Sequence, residues 1–213
     1  MSRKIKRPSL PESLPLINFM EVFDPEEPYI EQAEIADCVI TLSDTRLIEF
    51  KGVRFRNVQF DHLTVNNAYF KDVEFIKCEC INAELTESSL KQVSFQQCRL
   101  NGMIFTDSFL EDVTFTDCVM HLSSVSFSKV KSVLFDQCKL NEMDFLECTL
   151  KKLQFESCDL NRAKFSHTSL NNIDLSSSDF DAIAVSIDDI KGAIVNESQA
   201  LGFLEMLQLK IKD

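Results

Sequence analysis

The fold of this chain is decided by stretches such as LKQVSFQQCRLNGMIFTDSFL, residues 90–110, where a large apolar residue returns at every fifth position. From Ile35 to Val195 there are 33 positions numbered in multiples of five, and all except Thr45 carry Phe, Leu, Ile, Val, Met or Cys. Neither a helix, with 3.6 residues per turn, nor a strand, with a period of 2, repeats every five residues. The pattern predicts a repeat protein with a five-residue unit.

A second inward position and a longer period define the shape of this repeat. The residue two before each centre is small or apolar, as at Ala68 and Val73, and the other three positions of each unit are mostly polar. Cysteine and phenylalanine also recur every twenty residues, at Cys78, Cys98, Cys118, Cys138 and Cys158 and at Phe55, Phe75, Phe95, Phe115, Phe135 and Phe155. A twenty-residue period made of five-residue units predicts an all-β solenoid with four sides, in which residue n lies beneath residue n+20 at about 4.8 Å.

The same pattern divides the chain into three parts. Residues 1–32 lack the repeat and are expected to form a basic, solvated tail followed by an apolar cap for the first coil. Residues 33–195 form the solenoid, and residues 196–213 form a C-terminal helix with a dimerisation tail. Because the chain has no apolar run of 18 residues and no signal-peptide core, we expect a cytoplasmic protein.

Catalytic and metal-binding patterns are absent from the sequence. All eight cysteines fall on inward positions, where cysteine acts as a small buried hydrophobe, and Cys78-Glu79-Cys80 has no partner motif of zinc spacing. The three histidines, His62, His121 and His167, lie far apart on outward positions. We therefore expect no enzyme, no metal and no cofactor.

Charge is the feature that points to a partner. The net charge of −12 disfavours direct binding to nucleic acid, which is itself a polyanion. In the four-sided arrangement one side collects carboxylates and the next side collects lysines. The predicted partner-binding carboxylates are Glu84, Glu87, Asp107, Asp144 and Glu147, and the lysines are Lys71, Lys91, Lys129, Lys131, Lys151 and Lys152. The alternative, in which mixed charges only keep the rod soluble, stays open.

Apolar residues on outward positions border the same acidic side. They are expected to meet near its two corners and to extend the partner-binding surface, because a contiguous exposed apolar group marks an interaction site. These residues are Ile104, Phe109, Leu122 and Phe127, with Leu146 nearby.

The C-terminal segment breaks the five-residue pattern after Val195. Asn196 can cap a helix, and apolar residues then recur at helical spacing. We expect this helix to close the solenoid and to join two copies end to end, as a rod of about 80 Å. The predicted dimerisation residues are Leu201, Phe203, Leu204, Leu207 and Leu209.

The units themselves resemble a known family. Residues 158–162, CDLNR, followed by residues 163–167, AKFSH, resemble the A-(D/N)-L-x-x unit of the pentapeptide-repeat proteins, and the resemblance covers about 165 residues without a break in register. This resemblance implies a right-handed quadrilateral β-helix.

The C terminus resembles one branch of that family. Residues 195–204, VNESQALGFL, and the apolar end that follows are similar to the dimerising C terminus of the Qnr-type and mycobacterial fluoroquinolone-resistance proteins. That likeness implies a DNA-mimicking dimer that binds DNA gyrase or topoisomerase IV and protects it from quinolones or toxins. The unbroken register leaves no room for the projecting loops of the Gram-negative Qnr proteins. The alternative is a scaffold rod with another protein partner.

Overall fold

The computed structural model describes residues 5–43 and 45–204, and its elements are short. In chain order they are α1 (Phe19–Val22), β1 (Tyr29–Glu31), β2 (Glu34–Ala36), β3 (Val39–Thr41), β4 (Thr45–Arg46), β5 (Glu49–Lys51), β6 (Arg54–Arg56), β7 (Gln59–Asp61), β8 (Thr64–Asn66), β9 (Tyr69–Ile76), β10 (Glu84–Thr86), β11 (Ser89–Gln96), β12 (Ile104–Thr106), β13 (Phe109–Thr116), β14 (Ser124–Ser126), β15 (Lys129–Asp136), β16 (Asp144–Leu146), β17 (Thr149–Glu156), β18 (Lys164–Ser166), β19 (Ala184–Val185) and α2 (Glu197–Phe203). No helix within these described residues is long and apolar enough to cross a membrane.

The strands stack in parallel with a register of twenty residues. The acidic face consists of β4, β8, β10, β12, β14, β16, β18 and β19, which form one eight-stranded sheet. The long strands β9, β11, β13, β15 and β17 each turn a corner, so that their first halves form the lysine face and their second halves form the third face. The fourth face is held by β3, β7 and single bridges such as Arg99↔Val119. The predicted four-sided solenoid is confirmed.

The interior is a set of stacked columns, because identical positions of successive coils lie directly over one another. Phe115 is fully buried, and its ring centroid lies 4.8 Å from that of Phe95 and 4.8 Å from that of Phe135. Stacked aromatic pairs add to the hydrophobic gain of burial. The predicted core positions are therefore the positions that hold the rod together.

At most corners of the solenoid, one residue adopts a left-handed backbone conformation. The residue two after each centre has a φ of 50–63° across twenty-six non-glycine positions, including Leu122 and Phe127. Many of these corners are held by the N–H group of the corner residue, as where the N–H of Asp107 donates to the carbonyl of Ser126 at 3.0 Å. At Gly102, with a φ of 68°, an added Cβ would lie 2.2 Å from the Asn82 Oδ1.

Both described ends of the solenoid are covered. Phe19 of α1 is buried, and the N–H of Ile17 donates to the carbonyl of Glu34 at 2.9 Å. At the other end the Gln199 side chain donates to the carbonyl oxygens of Leu175 and Ser178 at 3.0 and 2.7 Å, which fixes α2 on the last coil. These contacts satisfy backbone groups that an open end would leave unpaired.

The N-terminal strap, residues 5–10, corrects one expectation. The side chains of Lys6 and Arg7 are exposed, as a solvated tail requires, but the backbone of the strap is bound along the rod. The N–H of Ser9 donates to the Asp72 carboxylate at 2.8 Å. The rod thus supplies acceptors for two backbone N–H groups of the strap.

Candidate interaction surface

The five predicted carboxylates lie on the acidic face and on the corner that follows it. Glu84 is in β10 and Asp144 is in β16, both at the first position of the strand. Glu87, Asp107 and Glu147 occupy that corner with φ values of 50–52°, and they are members of one column. The N–H groups of these three residues donate to the next coil, which fixes the distance between them. Glu87 and Asp107 are one coil apart, about 4.8 Å, and Asp107 and Glu147 are two coils apart.

Ion pairs with these carboxylates are absent from the described part of the rod, although Lys164 is in register with Asp144 on the adjacent strand. Glu84, Glu87, Asp107 and Glu147 are exposed, and none of the five forms an ion pair with another described residue. Asp144 is half-buried, and its Oδ1 atom is buried without a hydrogen-bond partner among the described residues. Uncompensated charge of one sign projects a field that steers partners of the opposite sign.

The predicted apolar residues lie among and beside these carboxylates. Ile104 is in register with Glu84, so it occupies the same column of the acidic face. Leu122, at the preceding corner, is 68% exposed, and Phe127, in the column of Asp107 and Glu147, is 48% exposed. Phe109 and Leu146 are half-buried. The result is a surface on which exposed apolar side chains lie beside carboxylates.

The lysine face adjoins this surface. Lys71, Lys91, Lys131 and Lys151 share one column of the sheet, which Glu111 interrupts, and Lys131 forms an ion pair with Glu111. The sorting of charge by face that the sequence predicts is therefore present in the structure.

The cysteines lie in or beside the packed interior of the rod. Seven of the eight are buried and Cys38 is half-buried. Burial raises the pKa of the Cys80 thiol and raises the pKa of the Cys148 thiol to about 11, which keeps both protonated at neutral pH. Within the described part of the chain no group of three or more His, Cys, Asp or Glu side chains could hold a metal ion.

The predicted dimerisation residues are only partly visible. Leu201 is exposed on α2, and the Phe203 ring lies 6.0 Å from that of Phe180 on the last coil. Leu204 is half-buried, and Leu207 and Leu209 lie outside the described residues.

Sequence reasoning missed the corner that binds the strap. The corner between the lysine face and the third face carries Asp72, Gln92 and Asp112, and Asp112 is only 3% exposed. The available signal was the presence of acidic residues at a corner next to the lysine face. Assigning charges to whole faces did not distinguish these corner residues from the face beside them.

Comparison with known proteins places the chain in a family. The family model described as "Pentapeptide repeat region" matches residues 48–127, 68–145 and 110–185, which together span more than half of the chain. No curated protein matches at a significant level. Among solved structures, a trypsin-treated form of QnrB1, a plasmid-mediated fluoroquinolone resistance protein, is 21% identical, with 92% of this chain and 95% of that chain covered and a TM-score of 0.40. HetL from the cyanobacterium Nostoc, involved in heterocyst differentiation regulation, is 11% identical, with 80% and 90% covered and a TM-score of 0.29.

Proposed function

We propose, from the premise that this chain belongs to the pentapeptide-repeat family, that it is a non-enzymatic protein that binds a bacterial type II topoisomerase, DNA gyrase or topoisomerase IV, by imitating DNA. It protects that enzyme from quinolones or topoisomerase toxins. The acidic face occupies the basic DNA-binding surface of the enzyme, with Glu84, Glu87 and Asp107 standing in for phosphates. Asp144 and Glu147 extend the contact towards the C terminus.

The observation that supports this most is the unpaired charge of the acidic face. Five carboxylates fall on the four coils from Glu84 to Glu147, which are separated by three steps of about 4.8 Å, a length of about 14 Å. The average is about one negative charge per 3 Å, close to the 3.4 Å spacing along one strand of duplex DNA. The charge of the face therefore suits a surface built to bind where a phosphate backbone binds.

The proposed assembly is a dimer in which the C-terminal segments of two copies meet, with the exposed Leu201 and the half-buried Phe203 and Leu204 in the contact. The other two predicted dimerisation residues, Leu207 and Leu209, lie outside the described residues. Two rods joined end to end double the length of the acidic surface, which suits a partner that binds an extended DNA segment. The sequence likeness of residues 195–204 to the Qnr-type C terminus supports this part of the proposal.

The test is DNA supercoiling by purified gyrase with the protein titrated in the presence and absence of ciprofloxacin. We expect supercoiling to recover in the presence of the drug at low protein concentration. Without the drug we expect inhibition at higher protein concentration, because the protein competes with DNA. The absence of both effects, with gyrase and with topoisomerase IV, would rule out the proposal.

The second candidate is a scaffold rod that binds a different protein through the apolar residues at the corners. It is supported by Leu122 and Phe127, which are bulky, exposed and held at positive φ, a combination that opposes folding. Asparagine tolerates this backbone better, so Leu122→Asn and Phe127→Asn should raise stability while weakening partner binding. A scaffold partner would not compete with DNA, which separates the two candidates.

A further inference from the structure

The N-terminal strap is bound by residues far from it in the sequence. The N–H of Lys6 donates to the Asp112 Oδ1 at 3.3 Å, and the N–H of Ser9 donates to the Asp72 Oδ1 at 2.8 Å. Between them the Gln92 Nε2 donates to the carbonyl oxygen of Arg7 at 3.4 Å. The sequence separations are 106, 63 and 85 residues, so these contacts are tertiary.

The three corner residues form a regular row, which we term the corner lane. Asp72, Gln92 and Asp112 have φ values of 54°, 55° and 56°, so their side chains leave successive coils in the same direction. The two outer residues are two coils apart, about 10 Å, and three residues of extended chain from Lys6 to Ser9 cover the same length. The lane therefore matches the repeat of an extended peptide.

Recognition in the lane is directed at the peptide backbone. Each of the three bonds uses an N–H or a carbonyl of the strap, and the side chains of Lys6, Arg7 and Ser9 are exposed. A different extended segment that presents two N–H groups three residues apart would make the same bonds. This is the general way in which extended peptides are bound with little dependence on sequence.

The strap leaves part of the surface beside the lane unfilled. A cavity of about 580 Å³ remains between Ile5, Arg7 and Pro8 of the strap and the side chains of the third face. Ser94 in the wall of this cavity is 4% exposed, and its hydroxyl has no hydrogen-bond partner in the described part of the chain. Burial of an unpaired hydroxyl is unfavourable, so the resident strap does not satisfy the site.

The charge around the cavity indicates what would fill it. Asp136 lies in the cavity wall and forms no ion pair with another described residue, whereas Glu74 is paired with Arg54 at 2.8 Å. A Lys or Arg side chain of an occupant could reach the free carboxylate, and a polar group could bond to Ser94. The Lys6 and Arg7 side chains of the strap are exposed and form no ion pair with Asp136, so the strap leaves this carboxylate open to an occupant.

We propose that the corner lane and its cavity are a binding site for an extended, basic segment of a partner protein, and that the N-terminal strap is a resident occupant which this segment displaces. The site is on the side of the rod opposite the acidic face, and it does not depend on the topoisomerase proposal. The strap competes in cis at high effective concentration, so the site is closed until a better-fitting segment arrives.

The test uses the full chain and a labelled peptide of residues 5–12. Lys6→Pro with Ser9→Pro removes both strap N–H donors, and we expect this variant to bind the peptide at least about tenfold more tightly than the unmodified protein. Leu10→Pro, whose N–H makes no described bond, is the matched control and should bind like the unmodified protein. Equal peptide affinity for the double-proline variant and this control, or no binding to either, would overturn the proposal.

Variants of the lane give the second measurement. Asp72→Gly with Asp112→Gly removes both acceptors without strain, since glycine adopts positive φ freely. In the otherwise unmodified protein we expect the protection of the Lys6 and Ser9 amides against hydrogen exchange to fall at least about tenfold. Asp117→Gly, at the next corner with a φ of 54°, should leave it unchanged. Amides that exchange at the unprotected rate before any substitution would contradict a docked strap.

Discussion

Removing the charges of the acidic corner column, which consists of Glu87, Asp107 and Glu147, should have opposite effects on stability and on partner binding. Glu87 and Asp107 lie on consecutive coils, so their like charges are about 4.8 Å apart at the backbone. Two unit charges at that distance repel by about 0.9 kcal/mol in water, and physiological salt reduces this to roughly 0.5 kcal/mol. The triple variant Glu87→Gln, Asp107→Asn and Glu147→Gln should therefore raise the free energy of unfolding by about 0.5 kcal/mol.

Partner binding should change in the other direction. An exposed ion pair contributes about 0.2–1 kcal/mol, so the loss of three should weaken gyrase binding by between about 3-fold and 150-fold. The salt dependence of the affinity should also decrease, because fewer charges remain to be screened. Urea unfolding followed by circular dichroism measures the first effect, and gyrase affinity at two salt concentrations measures the second.

A matched control exists on the fourth face. Asp159 and Asp179 form a bridge between adjacent coils, so they have the same one-coil spacing of like charges. Asp159→Asn with Asp179→Asn should raise stability by a similar amount and leave gyrase affinity unchanged. If the triple variant binds gyrase as tightly as the unmodified protein, the acidic corner is not the contact. If it loses stability, these carboxylates support the fold, and the reasoning from unpaired charge is wrong.

Three further predictions concern the core and the corners. In the native protein a thiol reagent should react readily with Cys38 alone, and with all eight thiols after denaturation. Burial raises the pKa of the Cys148 thiol from an ordinary value of about 8.5 to about 11, so the stability that the protonated thiol contributes should be lost as the pH rises through that window. Phe115→Ala should lower the free energy of unfolding in urea by about 3–5 kcal/mol, because it leaves a cavity between two stacked rings, whereas Phe115→Leu should cost about 1 kcal/mol. Gly102→Ala should destabilise by about 1–2 kcal/mol because its φ is positive, and Gly202→Ala, in an open helical site, should raise stability by up to about 1 kcal/mol; melting temperatures that move together would contradict this.

The solenoid could be predicted from the sequence because the five-residue period gives the length of one side and the twenty-residue period gives the length of one coil. The inward positions are almost all small or apolar for the same reason, with Thr45 as the one polar centre, so the columns of Phe and Cys could be assigned without a structure. The grouping of Glu84 with Asp144 on one face followed from the twenty-residue register alone. Whether a partner uses that face is a separate matter, which periodicity does not address.

Two features had no adequate signal in the sequence. The left-handed corners are occupied by residues such as Leu122 and Phe127, which do not favour that backbone, because the N–H bond to the next coil outweighs local preference. The docking of the strap depends on backbone bonds to Asp72 and Asp112, over separations that no local pattern records.

The strap also changes how the rod should unfold. In a solenoid each coil touches only its neighbours, so the ends are free to fray one coil at a time. The strap fastens the chain near residue 6 to the coil of Asp112 and near residue 9 to the coil of Asp72, across the intervening coils. The strap thus connects coils that are not neighbours, so the first coils and the middle of the rod are expected to unfold together.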